Sequence, residues 1–583
     1  MNRWIGFWIC VLLGLALAAA GMLVPAYLRA VEAGVLAKAG WNTPTLVDQG
    51  LGFVRAQHLG AGQMLYQATK DEWLTRREEL GLAINDLARE HPAWQVWGGG
   101  DAQLGALFDS SATKQLQSAP AQPTNSVAGL ADPSMPLTYW VVQLDNRDKV
   151  LASLQASTRP AVRELIMCLN LTNLTLFSPS QSASGQALDA AVSVCGLLLD
   201  QQRLTAGLSN QVTSAAIEAN HGNSAPLEQA LADFMSLGQR FNWSQLTVFV
   251  SRVQDLETLR RLANLARNNE ARLPVLFAVV TLSGQPAVVA HYLMTWSRNG
   301  LQDLGASLRY GAGGLSELLG RDQRLHVSRF REHLPASGPT HAYVNSALET
   351  CWRAPAEALI MKWTLILCGG FLLGLAAHFA RPAATPLEQP LQVRGFHVIR
   401  EILFALGFLL VVLLASEPFL AQVDQSVEFP FRLRPIIPVN VAPAVAPGGK
   451  IPFMKQDTLN LLTLLLFFVL QGLLYIACLV KLAEIRRQRV PPRVQLRLLE
   501  NEEHLFDAGL YLGFVGTIIS LILVSLGVAH FSLMAAYSST SFGIIFVSIF
   551  KIFHLRPTRR RLVLESEAPS ETAATRPALA PTV

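Results

Sequence analysis

The chain has 583 residues, 51% of them hydrophobic and only 15% charged, with a mean hydropathy of +0.31. That balance points away from an ordinary soluble protein and fits a membrane protein carrying a soluble part. The net charge of +5 is spread thinly, and the arginine clusters flank apolar runs without interleaved aromatics, which excludes nucleic-acid binding as a reading.

Apolar stretches long enough to cross a bilayer, which takes about 20 residues, run over 4–27, 363–380, 402–421, 459–480, 509–528 and 531–553. The expected class is all-α, a polytopic helical membrane protein with about six transmembrane helices. A large, mostly helical extracytoplasmic domain is inserted after the first. Residues 1–27 read as an anchor, because Trp4, Trp8 and Tyr27 sit where interfacial aromatics belong. The alternative is a cleaved signal peptide, since Arg3, the apolar run and Ala18-Ala19-Ala20 have that make-up. Either reading exports residues 28–357.

Within 28–357, apolar residues recur at helical spacing over 73–88, 187–204, 227–237 and 253–273, and breaker-rich pieces separate these blocks. The best strand candidates are 137–145 and 246–250, enough for a small sheet at most. Residues 273–296 are nearly as apolar as a span, but Ser283-Gly284-Gln285-Pro286 interrupts them, which predicts a buried helical hairpin. The glycine-rich runs 97–105 and 310–320 lack the Lys-Ser/Thr of a phosphate loop and read as helix punctuation, with Asp101 as an N-cap. His291, His326, His333 and His341 have no metal-ligand spacing, and no nucleophile elbow appears, so no enzyme, metal or cofactor is expected. Cys168 and Cys195, 27 residues apart on the exported side, are either a disulfide or two buried thiols.

Transmembrane helices follow at 358–381 and 399–422, then a Pro-rich extracytoplasmic loop at 423–456 and a fourth transmembrane helix at 457–482. A basic cytoplasmic loop at 483–506 leads into the last two helices at 507–554, and 555–583 reads as a disordered cytoplasmic tail. Orientation rests on Lys and Arg in short loops. Lys481, Arg486, Arg487, Arg489, Arg493 and Arg497 cluster in one, and Lys551, Arg556, Arg559, Arg560, Arg561 and Arg576 follow the last span. The expectation is a multi-pass membrane protein with both termini in the cytoplasm and lipid as its surroundings.

Ionisable residues inside a bilayer are costly and mark ion paths, yet the spans carry no central Asp or Glu. Glu417 and His378 lie near span ends and read as interfacial. Small and hydroxyl residues stand out instead. Gly370 and Gly374 form a Gly-x-x-x-Gly packing face, and Gly513, Thr517 and Ser520 form a stripe on one face of the fifth span. Such residues pack helices closely, and a hydroxyl can bond the carbonyl one turn back.

Their order carries a further signal. "GFVGTIISL" followed by "AAYSSTSFGIIFVSIF" resembles the paired final helices of the MotA/TolQ/ExbB proton-channel family, with Gly513, Gly516 and Thr517 matching the first pattern and Ala536, Thr540 and Gly543 the second. The match covers about residues 509–553. The resemblance implies a homo-oligomeric, pentameric helical channel around a single-span partner protein that supplies an intramembrane Asp. Thr517 and Thr540 would then line the pore, with Ser520, Ser538 and Ser541 as auxiliary hydroxyls and Gly513, Gly516 and Gly543 packing the helices. Such a subunit couples ion flow to its partner. The rival is a non-conducting membrane-anchored protein whose extracytoplasmic helical domain binds an envelope component.

Overall fold

The computed structural model describes residues 2–69, 76–118, 134–171, 173–177, 184–296, 299–328, 338–380, 396–418, 456–488, 490–525 and 533–567. The Pro-rich loop and the turn at His530 lie outside them. The described chain is all-helical apart from two three-residue strands, Ala30–Glu32 and Arg324–His326, which pair into one small sheet. Contacts divide it into two units: Val31–Arg329, and a second made of Met1–Ala30 with Phe330–Val583.

The unit Val31–Arg329 is a stack of short helices whose starts are written locally. The Thr45 hydroxyl caps Leu46–Arg55 and the Asp255 carboxylate caps Leu256–Asn268. The run 273–296 folds as the expected hairpin, Leu273–Ser283 and Pro286–Thr295, turning at Gly284 with φ +61°. Asp101 caps the helix Ala102–Ser118 by accepting from Leu104 N at 3.2 Å.

Both strand candidates are helical. Residues 246–250 lie in Trp243–Val250, started by a capping box in which Asn242 Oδ1 accepts from Gln245 N at 2.9 Å and Gln245 Oε1 from Asn242 N at 3.0 Å. Every residue of that helix is buried, and a helix buried all round has the same β-branched, aromatic composition as a buried strand. Residues 137–145 fall in Leu137–Val142 and Leu144–Gln155, where Leu137, Trp140 and Val141 are core residues. The real strands are too short to show an alternation.

The Cys168–Cys195 disulfide is not formed: both are free, buried thiols. Cys168 Sγ instead donates toward Glu164 O at 3.2 Å and Asn220 Oδ1 at 3.3 Å, and burial pushes the Cys168 thiol up to about 11 and that of Cys195 up to about 12.

The fully buried Glu228 ties the loop at 175–177 down. Its carboxylate accepts from the amides of Thr175 (2.8 Å), Leu176 and Phe177 (3.3 Å) and from Ser224 Oγ (2.9 Å). Burial alone would raise this carboxyl, but the donors outweigh it and hold it below its ordinary value of 4.5.

In the other unit we number the helices α1 (Asn2–Leu23), α2 (Pro339–Arg353), α3 (Pro355–Ala380), α4 (Phe396–Ser416), α5 (Gln456–Arg487), α6 (Pro492–Asn501), α7 (Glu503–Phe506), α8 (Ala508–Ser525), α9 (Leu533–Phe550) and α10 (Arg556–Glu567). Four stretches among the described residues are long and apolar enough to cross a membrane: Trp4–Leu23, Pro355–Ala376, Phe467–Arg487 and Tyr537–Glu567. In α4 and α8 the described apolar stretches are shorter, Phe404–Leu413 and Ala508–Ile518. Gly14 and Gly369 bring α1 against α3, and Gly370 and Gly374 receive Phe408 and Phe404 of α4. Part of the expected disordered tail is α10, because Leu562 joins Cys478, Leu482, Ile485, Leu499, Phe506 and Phe550 in one apolar cluster.

Glu417 is buried at the end of α4 and accepts from the amides of Leu28 and, at 3.0 Å, Arg29. Lys362 of α3, 1% exposed, donates to Ala26 O at 2.8 Å with its ammonium 4.3 Å from the Tyr27 ring centroid. These two charges pin the segment that follows α1 to the ends of α3 and α4. Removing one member of such a buried set costs about 3–5 kcal/mol. Lys362→Met is therefore expected to lower the melting temperature in detergent by several degrees and Glu417→Ala to do the same, with Glu417→Gln, which keeps an acceptor, losing less.

A carboxyl held below its unfolded value stabilises above that value, and the contribution is lost as pH falls through the folded one. Glu228→Gln is thus expected to flatten the acid side of the stability profile, and Glu228→Ala to cost about 2–4 kcal/mol at neutral pH, both read by hydrogen exchange at the amides of Thr175 to Phe177.

Candidate functional site: a hydroxyl cluster between the last two helices

Helices α8 and α9 approach backbone to backbone. A Cβ placed on Gly513 would stand 2.8 Å from Ser539 O, and one on Gly543 would stand 2.6 Å from Gly509 O. No residue with a side chain fits at either crossing. Gly516 lies over Ser539, whose Oγ would be 2.7 Å from an added Cβ.

This approach brings the two predicted threonines together. Thr517 Oγ1 and Thr540 Oγ1 are 2.6 Å apart, and both reach Gly513 O, at 3.1 and 3.2 Å. Two hydroxyl protons serve three contacts, so only two can be made at any moment. Each hydroxyl also carries two lone pairs, and a pair sharing one carbonyl has more acceptor than donor capacity. Neutral hydroxyls do not take up a proton at neutral pH, but such a cluster can receive a hydrogen bond from a group that brings one, such as water or a protonated carboxyl.

The serines divide. Ser538 and Ser539 are buried, while Ser541 is exposed and donates to Tyr537 O at 3.0 Å, the ordinary one-turn-back bond. The side chains of Ser520 and Ala536 lie outside the described residues.

One polar residue inside the membrane part escaped the sequence reading. Gln471 of α5, 1% exposed, donates through Nε2 to Gly509 O at 3.0 Å, one turn from the threonine pair. It is the glutamine within "FFVLQGLLY", and its isolation in an apolar run was the available signal. One turn further along α5, Tyr475 Oη is 3.0 Å from His554 Nε2, and Lys551 pairs with Asp507 at 2.6 Å. Glu401, buried beside Gly374, is a carboxylate near the start of α4.

No family model, curated protein or solved structure matches this chain.

If the backbone approach builds the cluster, a methyl at Gly513 must separate the helices. Gly513→Ala is expected to destabilise the membrane part by about 1–3 kcal/mol, seen as a lower melting temperature in detergent. Gly407→Ala in α4, where an added Cβ meets nothing within 4 Å, is expected to leave it unchanged.

Proposed function

We propose that the chain is a proton-channel-like subunit of a bacterial inner membrane, similar to MotA/TolQ/ExbB proteins, which couples ion flow to a single-span partner carrying an intramembrane Asp. The observation that carries this reading is the shared placement of Thr517 and Thr540 on Gly513 O, 2.6 Å apart. The sequence pattern singled out those two residues on separate helices, and close packing alone needs neither hydroxyl. A hydroxyl pair suits a partner carboxyl that cycles between protonated and ionised forms, since a hydroxyl can accept from the acid and turn to donate to the carboxylate, and the pair cannot carry a proton without one. In this reading six helices cross the membrane, both ends of the chain are cytoplasmic, the 28–357 region is extracytoplasmic as a sensing or docking module, and the subunits form a ring around the partner.

The test is proton flux in membrane vesicles from cells that co-express the chain with a single-span, Asp-bearing protein encoded beside its gene. A hydrogen bond to a charged group is worth about 1.5–3 kcal/mol, or about tenfold to a hundredfold in rate. Thr540→Val and Thr517→Val are expected to cut flux by that factor while the protein still assembles, and Thr540→Ser to retain most of it. Equal flux in wild type and Thr540→Val would sink the role of the threonine pair, and no flux in any form would favour the non-conducting anchor.

A further inference from the structure

Between α5, α8 and α9 lies a small cavity, ≈ 10 Å³, lined by Gln471, Tyr475, Cys478, Gly509, Phe546 and Phe550 among others. That is room for about one water molecule, which settles only where polar groups hold it. Gln471 supplies one: its Nε2 is committed to Gly509 O, while its buried Oε1 has no hydrogen-bond partner among the described residues. A buried amide oxygen left without a donor is destabilising, and a water in the cavity removes that penalty.

One turn along α5 from Gln471, and lining the same cavity, is Tyr475, whose hydroxyl meets His554 Nε2 at 3.0 Å. His554 sits in a π-helical turn, Lys551–Leu555, between α9 and α10. Such turns are rare and are frequent at functional sites. His554 is half-buried, so its ring meets both the membrane part and solvent. Lys551, at the start of the same turn, pairs with Asp507. Polar groups thus recur turn by turn: Thr517 with Thr540 at Gly513, Gln471 at Gly509, then Tyr475 and His554.

We propose that Gln471, a water in this cavity and the Tyr475–His554 pair form a proton relay from a partner carboxyl held at the threonine cluster to the cytoplasmic side. The inference rests on the channel reading above and adds the exit to it. A proton arriving on the water passes to the Tyr475 oxygen as the hydroxyl's own proton moves to His554 Nε2. The imidazolium so formed releases its Nδ1 proton to the cytoplasm, and a flip of the ring returns an acceptor nitrogen to Tyr475. One proton enters and one leaves, with nothing oxidised or reduced.

The test uses the same vesicles with the full chain and its co-expressed partner. His554→Ala is expected to lower flux about 100-fold, the scale of a lost positioned proton-transfer group. Imidazole added on the side of His554 is expected to restore much of it, which a merely structural histidine would not allow. His554→Gln keeps a hydrogen-bonding partner for Tyr475 and the melting temperature of wild type, yet is expected to conduct as poorly as the Ala variant. Tyr475→Phe and Gln471→Leu are expected to lower flux without imidazole rescue. Wild-type flux in His554→Gln, or a loss in His554→Ala that imidazole does not relieve, overturns the relay. If flux still depends on Thr540 in that case, the channel reading stands without it, whereas absence of flux in every form, wild type included, overturns both.

Discussion

The closest constraint in the membrane part is the backbone contact between α8 and α9 at Gly513 and Gly543. In lipid the hydrophobic effect gives helices no reason to associate, so association rests on dispersion and on hydrogen bonds that become possible only at short range. Removing the side chain at Gly513 does two things at once. It lets Ser539 O approach to contact distance, and it leaves Gly513 O open to two threonine hydroxyls from two helices. Gly509 does the same for Gln471 one turn away. Packing and polarity are therefore one feature at Gly513 and Gly509, whose carbonyls each hold a polar side chain.

The charges of this unit are treated in the opposite way. Lys362 and Glu417 are buried at helix ends with their capacity directed to backbone groups, the Ala26 carbonyl and the Leu28 and Arg29 amides. A charge so committed is expensive to move, which suits a clamp and not a carrier. The neutral groups, Thr517, Thr540, Gln471 and Tyr475, occupy the interior of the α5, α8 and α9 trio, where an ionised side chain would be costly.

Legibility followed the physics of each signal. The helical class, the hairpin at Gly284 and the Asp101 cap were readable because periodicity and breakers act locally. Residues 246–250 were misread as a strand because burial on every side erases the period that separates helix from strand. Of the two readings left open for Cys168 and Cys195 the structure has the buried thiols, and sequence could not choose between them because separation says nothing of whether a thiol already has a carbonyl acceptor, as Cys168 does at Glu164. The start of the tail was misjudged because its composition was averaged with the Pro-rich stretch that follows, and Leu562 seats that start on the apolar cluster. At the candidate site, the threonines and glycines were legible as a pattern on two helices. Gln471 and His554 were not, since each is a single residue whose meaning depends on α5 lying against α8 and α9.

That dependence bears on which reading of the hydroxyls is the stronger. A stripe of Ser and Thr on one helix is cheap in lipid, because each hydroxyl bonds the carbonyl of the preceding turn, as Ser541 does with Tyr537. Thr517 has this bond too, to Gly513 O, and needs nothing more. Thr540 instead reaches across to a carbonyl of the other helix and crowds a second hydroxyl onto it. Packing alone would be served as well by Val at either position, which is similar in shape and has no surplus lone pairs. What sets the pair apart from the stripe is therefore Thr540, whose hydroxyl is held by the neighbouring helix and not by its own.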